Sequence, residues 1–257
     1  MTKTVLDHVA IGTSALTDGW DLFGGLLGGS WVYGGDSPGF WWGQLQFHAG
    51  PKIELLTPAG GPDAAFLERF LATRGAGPHH FTFIVPDIAA ALPRVRAVGI
   101  EPVQISLVNP AWKEAFLHPK DAYGIVIQVA EHSGPPPELA APAQLPPPGP
   151  PSAFALVEHY VADIDGAVRL FEEALEGQVV SRQDTAQTSA AELTWDNGAR
   201  LRLVGATPAA GGAGPRRRGP GHLRFIRDGA QFSPGDRSRA ADLAQRLGIS
   251  LQLGSQN

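Results

Sequence analysis

Two histidines and two later polar residues recur in this chain at nearly equal spacing. His8 lies in the segment VLDHVAI and His80 in PHHFTFI, and both segments have the alternation typical of β-strands. Glu54 follows His8 by 46 residues in KIELL, and Gln128 follows His80 by 48 residues in GIVIQVA. Two imidazoles, a carboxylate and an amide oxygen suit a divalent ion such as Zn, Ni, Co, Mn or Fe(II). If the two segments pair about a pseudo-twofold axis, the pattern predicts one metal site.

The neighbours of Glu54 support this interpretation. Ile53 and Leu55 flank it, so the carboxylate belongs to an apolar strand. A carboxylate buried without a partner costs several kcal/mol, so we expect a cation or hydrogen-bond donors beside it. The adjacent His79 is expected to face the other side of its strand and to be structural.

The strand containing a histidine is repeated twice more, in LVEHYVA with His159 and PGHLRFI with His222. A helical pattern follows each strand, and Asp87 and Asp163 are positioned as N-caps. The predicted closing strands are QLQF with KIELL, FLH with GIVIQVA, and AELTW with ARLRLV. The sequence therefore predicts an α+β fold of repeated βαβββ modules paired into a cupped mixed sheet, with a degenerate second half whose fourth module is truncated.

Composition limits the classes of function. The chain has 257 residues, 32 Gly, 23 Pro, no Cys and a net charge of −5. The absence of Cys excludes disulfides and thiolate ligands, and the acidic balance disfavours binding to nucleic acid or anionic membranes. No apolar segment has the length of a membrane span and no signal peptide is apparent, so we predict a cytoplasmic protein.

A proline-rich segment predicts the domain boundaries. Residues 134–152 read as a semi-rigid linker because proline favours extended geometry and removes backbone donors. The predicted domains are 1–133, which carries the metal site, and 153–257, which holds the third module and the truncated fourth.

These motifs resemble the vicinal oxygen chelate superfamily, the glyoxalase, bleomycin-resistance and extradiol-dioxygenase group. Residues 5–131 are most similar to methylmalonyl-CoA epimerases, through LDHVAI, IELLTP, GPHHFTFIVPDI and FLHPKDAYGIVIQVAE. The resemblance implies paired βαβββ modules and a divalent metal ion held by His8, Glu54, His80 and Gln128.

The chain departs from the epimerase pattern in its acids. The family's two acids fall near Gln44 and at Gln128, and neither amide can accept a proton as a base. Glu54 remains as a single candidate base, which favours a lyase or isomerase that transfers a proton beside a carbonyl or thioester. In the third module Arg202 stands at the position of Glu54, which argues against a second metal site.

Further candidates concern the small-molecule substrate. Trp41 and Trp42 are candidates to line the mouth of the cup and stack on the substrate, Gln44 to contact it, and Lys120 to meet an anionic group at the entrance. Two alternatives stay open: a non-enzymatic protein that binds an antibiotic-like molecule, and an Fe(II) ring-cleaving dioxygenase. Beyond the substrate, the one partner considered is a second copy of the chain in a homodimer.

Overall fold

The computed structural model describes residues 3–134, 140–206, 219–227, 229 and 231–255. Strands dominate this part of the chain. The first eight are β1 (Val5–Gly12), β2 (Ser30–Ser37), β3 (Phe40–Gln46), β4 (Lys52–Pro58), β5 (Gly77–Ile84), β6 (Val103–Ser106), β7 (Trp112–Leu117) and β8 (Val126–His132). The other six are β9 (Ser152–Tyr160), β10 (Gln178–Asp184), β11 (Thr188–Thr194), β12 (Arg200–Ala206), β13 (Gly219–Arg227) and β14 (Ser250–Ser255).

The helices are short. They are α1 (Leu16–Gly19), α2 (Ala65–Arg74), α3 (Ile88–Ala97), α4 (Ile164–Arg169) and α5 (Pro234–Arg246). Four of these five follow the first strand of a module, and α2 connects the first module to the second. Helices α1 and α4 continue as π-helical turns over Trp20–Leu26 and Leu170–Ala174, and a 3-10 turn, Pro62–Ala64, precedes α2. In the described part of the chain, no helix is long and apolar enough to span a membrane.

The strands form two mixed sheets, which confirms the predicted fold class. One sheet has the order β2-β3-β4-β1-β5-β8-β7-β6, and the other has the order β10-β11-β12-β9-β13-β14. In each module the strand before the helix pairs in parallel with the module's last strand, as in β1 with β4 and β5 with β8. The order strand, helix, three strands occurs three times, and the fourth copy consists of β13, α5 and β14.

Two helix starts follow the predicted capping chemistry. Asp87 accepts hydrogen bonds from the backbone N–H groups of Ala89 and Ala90, and Asp163 accepts one from Gly166. The cap of α5 was not predicted: Ser233 forms a reciprocal capping box with Asp236.

Three strand predictions began too late. The AELTW segment starts at residue 191, whereas β11 begins at Thr188. Phe116 and Leu117 of the FLH segment are the end of β7, which begins at Trp112, and Gln44–Gln46 of the QLQF segment are the end of β3, which begins at Phe40. Strands β3 and β7 start with aromatic residues, which favour pleated sheet. The earlier start of β7 adds Glu114 to the sheet.

The chain divides into two compact units, each built from three segments. The first unit consists of Met1–Asp7, His80–Gly134 and Leu156–Gly221. Within it, Arg94 of α3 reaches the segment after α4, donating to the Ala174 carbonyl at 3.3 Å and pairing with Glu176 at 3.2 Å. The helices of the second and third modules are therefore joined.

The second unit consists of His8–His79, Pro135–Ala155 and His222–Asn257. Two arginines of α5 pair with acids of the first module's helix, Arg246 with Asp18 at 2.8 Å and Arg239 with Asp21 at 3.2 Å. The helices of the first and fourth modules are therefore joined as well.

Contacts within the second unit explain why glycine occurs in the helical segment of the first module and directly after it. A methyl group on Gly24 would lie 3.0 Å from Leu145, and one on Gly25 would lie 3.1 Å from Pro146. Gly28 has φ +73°, and a Cβ there would lie 2.4 Å from the Pro150 carbonyl oxygen. The described part of the predicted linker therefore packs on this helix, while residues 135–139 lie outside the described residues.

The third module contradicts the predicted alignment of its histidine. Asp87 caps its helix seven residues after His80, whereas Asp163 caps its helix four residues after His159. Two equivalent backbone hydrogen bonds show the same offset of three residues. Val85 N–H donates to Ala130 O at 2.8 Å and lies five residues after His80, whereas Val161 N–H donates to Val204 O at 2.9 Å and lies only two residues after His159. Leu156, and not His159, therefore occupies the position of His80.

An offset of three places His159 on the opposite strand face. It is fully buried, with its ring centroid 5.6 Å from that of Phe81 and 6.5 Å from that of Phe171. Burial lowers the pKa of His159 to about 4, and the Tyr123 backbone has a smaller effect in the opposite direction. His159 is therefore a neutral core residue at neutral pH.

We expect His159 to make stability depend on pH. Between about pH 6.5 and 4 the unfolded chain binds a proton that the folded chain does not, so the free energy of unfolding falls as the pH falls through this window. His159→Phe should remove up to about 3 kcal/mol of that pH dependence, because each pKa unit corresponds to about 1.4 kcal/mol. Urea unfolding at several pH values measures the slope. His118→Phe, in an exposed turn, is the control, and equal slopes for the two variants would contradict the prediction.

The contact between Gly28 and the linker can be tested against a second glycine in the same conformation. Gly28→Ala and Gly99→Ala both place a side chain at positive φ, but only Gly28 has backbone within reach of the added methyl group. We expect Gly99→Ala to lose about 1 kcal/mol of stability and Gly28→Ala to lose at least twice as much. Denaturant midpoints provide the comparison. Equal losses would show that residues 149–151 do not pack closely on this helix.

Candidate metal centre

Three buried side chains with metal-binding atoms converge. His8 on β1, Glu54 on β4 and His80 on β5 are 2%, 6% and 7% exposed. One ligand atom from each lies within 4.8 Å of the ligand atoms of the other two. This His-Glu-His cluster is the one group of this kind found among the residues that the structure describes.

Strand register places His8 and Glu54 together. In the parallel pair of β1 and β4, Lys52 lies opposite His8 and Glu54 lies opposite Ala10. Residues two apart on a strand share a face, so His8 and Glu54 occupy neighbouring positions on one side of the sheet. The Nε2 atom of His8 lies 3.5 Å from Oε2 of Glu54.

Gln44 supports both side chains from β3. It lies opposite Glu54 in the antiparallel pair, and its Nε2 donates to Oε2 of Glu54 at 2.7 Å and lies 3.3 Å from Nδ1 of His8. Gln44 is 2% exposed, and its Oε1 has no hydrogen-bond partner among the described residues. A buried acceptor left in this state costs about 1–3 kcal/mol, so the position favours a bound group with a donor.

Gln128 on β8 is held by two hydrogen bonds. It lies opposite Thr82, which is two residues after His80 and therefore on the same strand face. Its Oε1 accepts from the Thr82 hydroxyl at 2.6 Å, and its Nε2 donates to Oε2 of Glu114 at 2.7 Å. This network fixes the orientation of the amide. The predicted contribution of Gln128 to a metal site stays a prediction.

Sequence reasoning missed Glu114 and Thr82. The pattern Trp112, Glu114, Phe116 alternates with Lys113 and Ala115, which could have indicated a strand with Glu114 on one face. The short FLH prediction excluded this segment from the sheet, so the carboxylate was not considered.

His79 has the environment of a structural residue. Its ring packs against Phe66 and Phe70 of α2, with centroid separations of 5.7 and 4.8 Å. Burial lowers the pKa of His79 to about 4, the charge of Glu54 acts in the opposite direction, and Arg74 lowers it further. His79 is therefore neutral at neutral pH.

The remaining predicted substrate contacts lie in different surroundings. Trp41 belongs to an aromatic cluster, with ring centroids 5.5 Å from Trp20 and 6.2 Å from Trp31. Trp42 shares the strand face of Gln44 and packs edge-on against Tyr33 at 5.3 Å. Lys120 is exposed in a turn that follows β7.

The third module lacks the ligand set. Thr13 N–H donates to Leu56 O at 2.9 Å, and Val161 N–H makes the equivalent hydrogen bond to Val204 O in the third module. Glu54 lies two residues before Leu56 and Arg202 lies two residues before Val204, so Arg202 occupies the position of Glu54. Leu156 occupies the histidine position, as described above. In the fourth module, Nδ1 of His222 forms a hydrogen bond with Ser250 Oγ at 2.7 Å.

The chemistry of the triad fits a divalent ion. Two imidazoles and one carboxylate are borderline to hard ligands, and a three-residue set leaves coordination positions open for water or substrate. The donors come from strands, whose side-chain directions are fixed by the sheet, so the cluster is pre-organised. His8, Glu54 and His80 are therefore the residues that could hold a metal ion.

Two solved structures with TM-scores near 0.6 support the fold. A triple mutant of 4-hydroxymandelate synthase from Streptomyces coelicolor is 13% identical, with 95% of this chain and 76% of that chain covered and a TM-score of 0.61. A fusion of a xylose isomerase-like TIM barrel with 4-hydroxyphenylpyruvate dioxygenase is 16% identical, with 93% and 38% covered and a TM-score of 0.59. Methylmalonyl-CoA epimerase from Mycobacterium tuberculosis is 27% identical over 51% of this chain and 89% of that chain, with a TM-score of 0.45.

No curated protein matches the sequence. The family model of the Glyoxalase/Bleomycin resistance protein/Dioxygenase superfamily matches residues 7–116, a range that includes His8, Glu54 and His80. The match is confined to residues 7–116, and the βαβββ modules of the structure agree with it over these residues.

Proposed function

We propose that this chain is a divalent-metal-dependent lyase or isomerase that transfers a proton at the carbon next to the carbonyl or thioester of a small substrate. The observation that carries the proposal is the buried cluster of His8, Glu54 and His80, whose ligand atoms lie within 4.8 Å of one another. A divalent ion held there would polarise the carbonyl oxygen and stabilise the negative charge that develops when the proton leaves.

The chain's own residues supply the remaining functions. Glu54 is a candidate proton acceptor, because a carboxylate beside the reacting carbon can act as a general base. Gln44 holds it in place through the 2.7 Å hydrogen bond to its Oε2. The buried Oε1 of Gln44 offers an acceptor to a donor on the substrate or on a bound water.

Metal binding is the first test. Untagged protein should bind about one Zn, Ni, Co or Mn ion per chain, measured by elemental analysis after dialysis. Glu54→Gln keeps the shape of the side chain but removes its charge, and we expect at least a tenfold weaker affinity for the metal. Glu101→Gln, at an exposed carboxylate paired with Arg96, is the matched control. A metal content that is unchanged in Glu54→Gln would refute the assignment.

Isotope exchange tests the chemistry. The metal-loaded protein is incubated in D₂O with two probes, methylmalonyl-CoA and the hemithioacetal of methylglyoxal and glutathione, and deuterium at the carbon next to the carbonyl is followed by mass spectrometry. We expect incorporation with at least one probe and a loss of at least about 100-fold in Glu54→Gln, the usual contribution of a general base. No incorporation with any metal would contradict the proposal.

A second candidate function has support from Tyr33 and Trp42. Their edge-on pair lies on the strand face of Gln44, where aromatic rings could bind an apolar ligand without turnover. Quenching of tryptophan fluorescence by an antibiotic panel, together with no isotope exchange, would favour a binding protein over an enzyme.

A further inference from the structure

The sheet of the third module has a small cavity on one of its faces. The cavity has a volume of about 60 Å³, and polar and small residues of three neighbouring strands line it: Ser181, Gln183, Ala190, Ala191, Glu192 and Arg202. All six belong to the first compact unit. Because Ser181 and Gln183 are exposed, the cavity opens to solvent along β10, the edge strand of this sheet.

Strand register shows which positions of the first module these residues correspond to. Arg202 occupies the position of Glu54, as described above. Glu192 lies opposite Arg202, as Gln44 lies opposite Glu54, so Glu192 occupies the position of Gln44. The hairpins β2–β3 and β10–β11 also have a register shift at equivalent points. The cavity therefore lies on the sheet face that carries the candidate metal ligands in the first module.

Two aromatic residues of the first module are replaced by small residues in the third. Ser181 corresponds in register to Tyr33. Ala190 corresponds to Trp42. The rings of Tyr33 and Trp42 pack edge-on with their centroids 5.3 Å apart, whereas a hydroxymethyl group and a methyl group fill much less space. The cavity is therefore the volume that this pair of rings occupies in the first module.

Arg202 brings an unpaired positive charge to the cavity. Its side chain is half-buried, and within the chain segments that the structure describes its guanidinium forms neither a hydrogen bond nor an ion pair. Glu192 forms an ion pair with Arg200, so its charge is balanced. Glu158 lies opposite Arg202 on β9, but its Oε1 accepts from the Tyr160 hydroxyl at 2.7 Å and it does not line the cavity. A partly desolvated cation in this state favours a bound anion.

The other lining groups restrict the kind of anion. The carboxylate of Glu192 repels a phosphate dianion more strongly than a singly charged carboxylate, but it can accept a hydrogen bond from a hydroxyl group. Cβ atoms of directly opposite residues lie about 5 Å apart, so Arg202 and Glu192 can contact adjacent groups of one small molecule. A volume of about 60 Å³ holds about four to six water-sized groups. This is the size of a small hydroxycarboxylate such as lactate.

We propose that the third module contains a binding site in which Arg202 binds the carboxylate of a small hydroxycarboxylate and Glu192 accepts a hydrogen bond from its hydroxyl group. The site uses no residue of the candidate metal centre, so it does not depend on the proposed function. Substitution of the metal-ligand position by arginine, together with the loss of two aromatic rings, converts this face from a metal site to an anion site.

An NMR titration tests the site. Full-length, isotope-labelled protein is titrated with L-lactate, and the backbone amide shifts are followed residue by residue. We expect saturable shifts in β10, β11 and β12, with a dissociation constant in the millimolar range. Arg202→Gln removes the positive charge and should weaken binding by about tenfold or more. Arg169→Gln, at an exposed arginine paired with Glu173, is the matched control and should leave the affinity unchanged.

A second variant tests the cavity independently of its charge. Ser181→Tyr introduces the residue type that the first module has at this position, and Ser181 is exposed, so the chain can fold with the larger side chain. We expect the added ring to fill the cavity and to abolish the saturable shifts. Unchanged amide shifts in β5 and β8 would show that the variant is folded.

Two further ligands test the chemical class. Acetate lacks the hydroxyl group and should bind about threefold more weakly than lactate, and inorganic phosphate should also bind more weakly. Affinity for acetate equal to that for lactate would overturn the role of Glu192, and tighter binding of phosphate would overturn the assignment to hydroxycarboxylates. The absence of saturable shifts in β10 to β12, or equal affinity in Arg202→Gln and the unaltered chain, would overturn the site itself.

Discussion

The burial of one carboxylate in a β-sheet is the constraint on which this site depends. Glu54 is 6% exposed, and an uncompensated charge at such a position would cost several kcal/mol. Gln44 from β3 and His8 from β1 provide the compensation, so three strands must keep their register. A slip of one residue would move Glu54 to the opposite face and leave its partners behind. The requirements of folding and of the proposed metal site therefore coincide at this residue.

Much of this arrangement could be predicted from alternation and repetition along the chain. His8, Glu54 and His80 lie in strands whose period of two is visible in the sequence, and the structure brings them together. Glu114 could not be found in this way, because its contact with Gln128 joins neighbouring strands and needs the register of β7. Likewise, no sequence pattern predicts which amide atom of Gln44 contacts Glu54, and this contact determines that Oε1 is the atom left without a hydrogen-bond partner among the described residues.

His159 shows why local similarity can mislead. LVEHYVA resembles VLDHVAI letter by letter, yet its place in the module is set by the helix cap that follows, and Asp163 comes three residues early. An odd offset reverses the strand face, so a histidine that resembles a ligand becomes part of the core. With Arg202 opposite Glu158 on the neighbouring strand, the third module retains the backbone pattern without the chemistry. Repetition of the fold and repetition of the site are therefore separate properties in this chain.

The contact between the glycine-rich helix and the proline-rich segment has an evolutionary consequence. Gly24, Gly25 and Gly28 are small where Leu145, Pro146 and Pro150 are close, so neither segment can vary alone. A larger residue on the helix would have to be accompanied by a smaller residue or a displaced backbone in the segment that covers it. Among homologues, these two stretches should therefore change in a correlated way, although they are separated by more than one hundred positions in the sequence. The unusual glycine and proline content of the chain would then be inherited as one coupled feature.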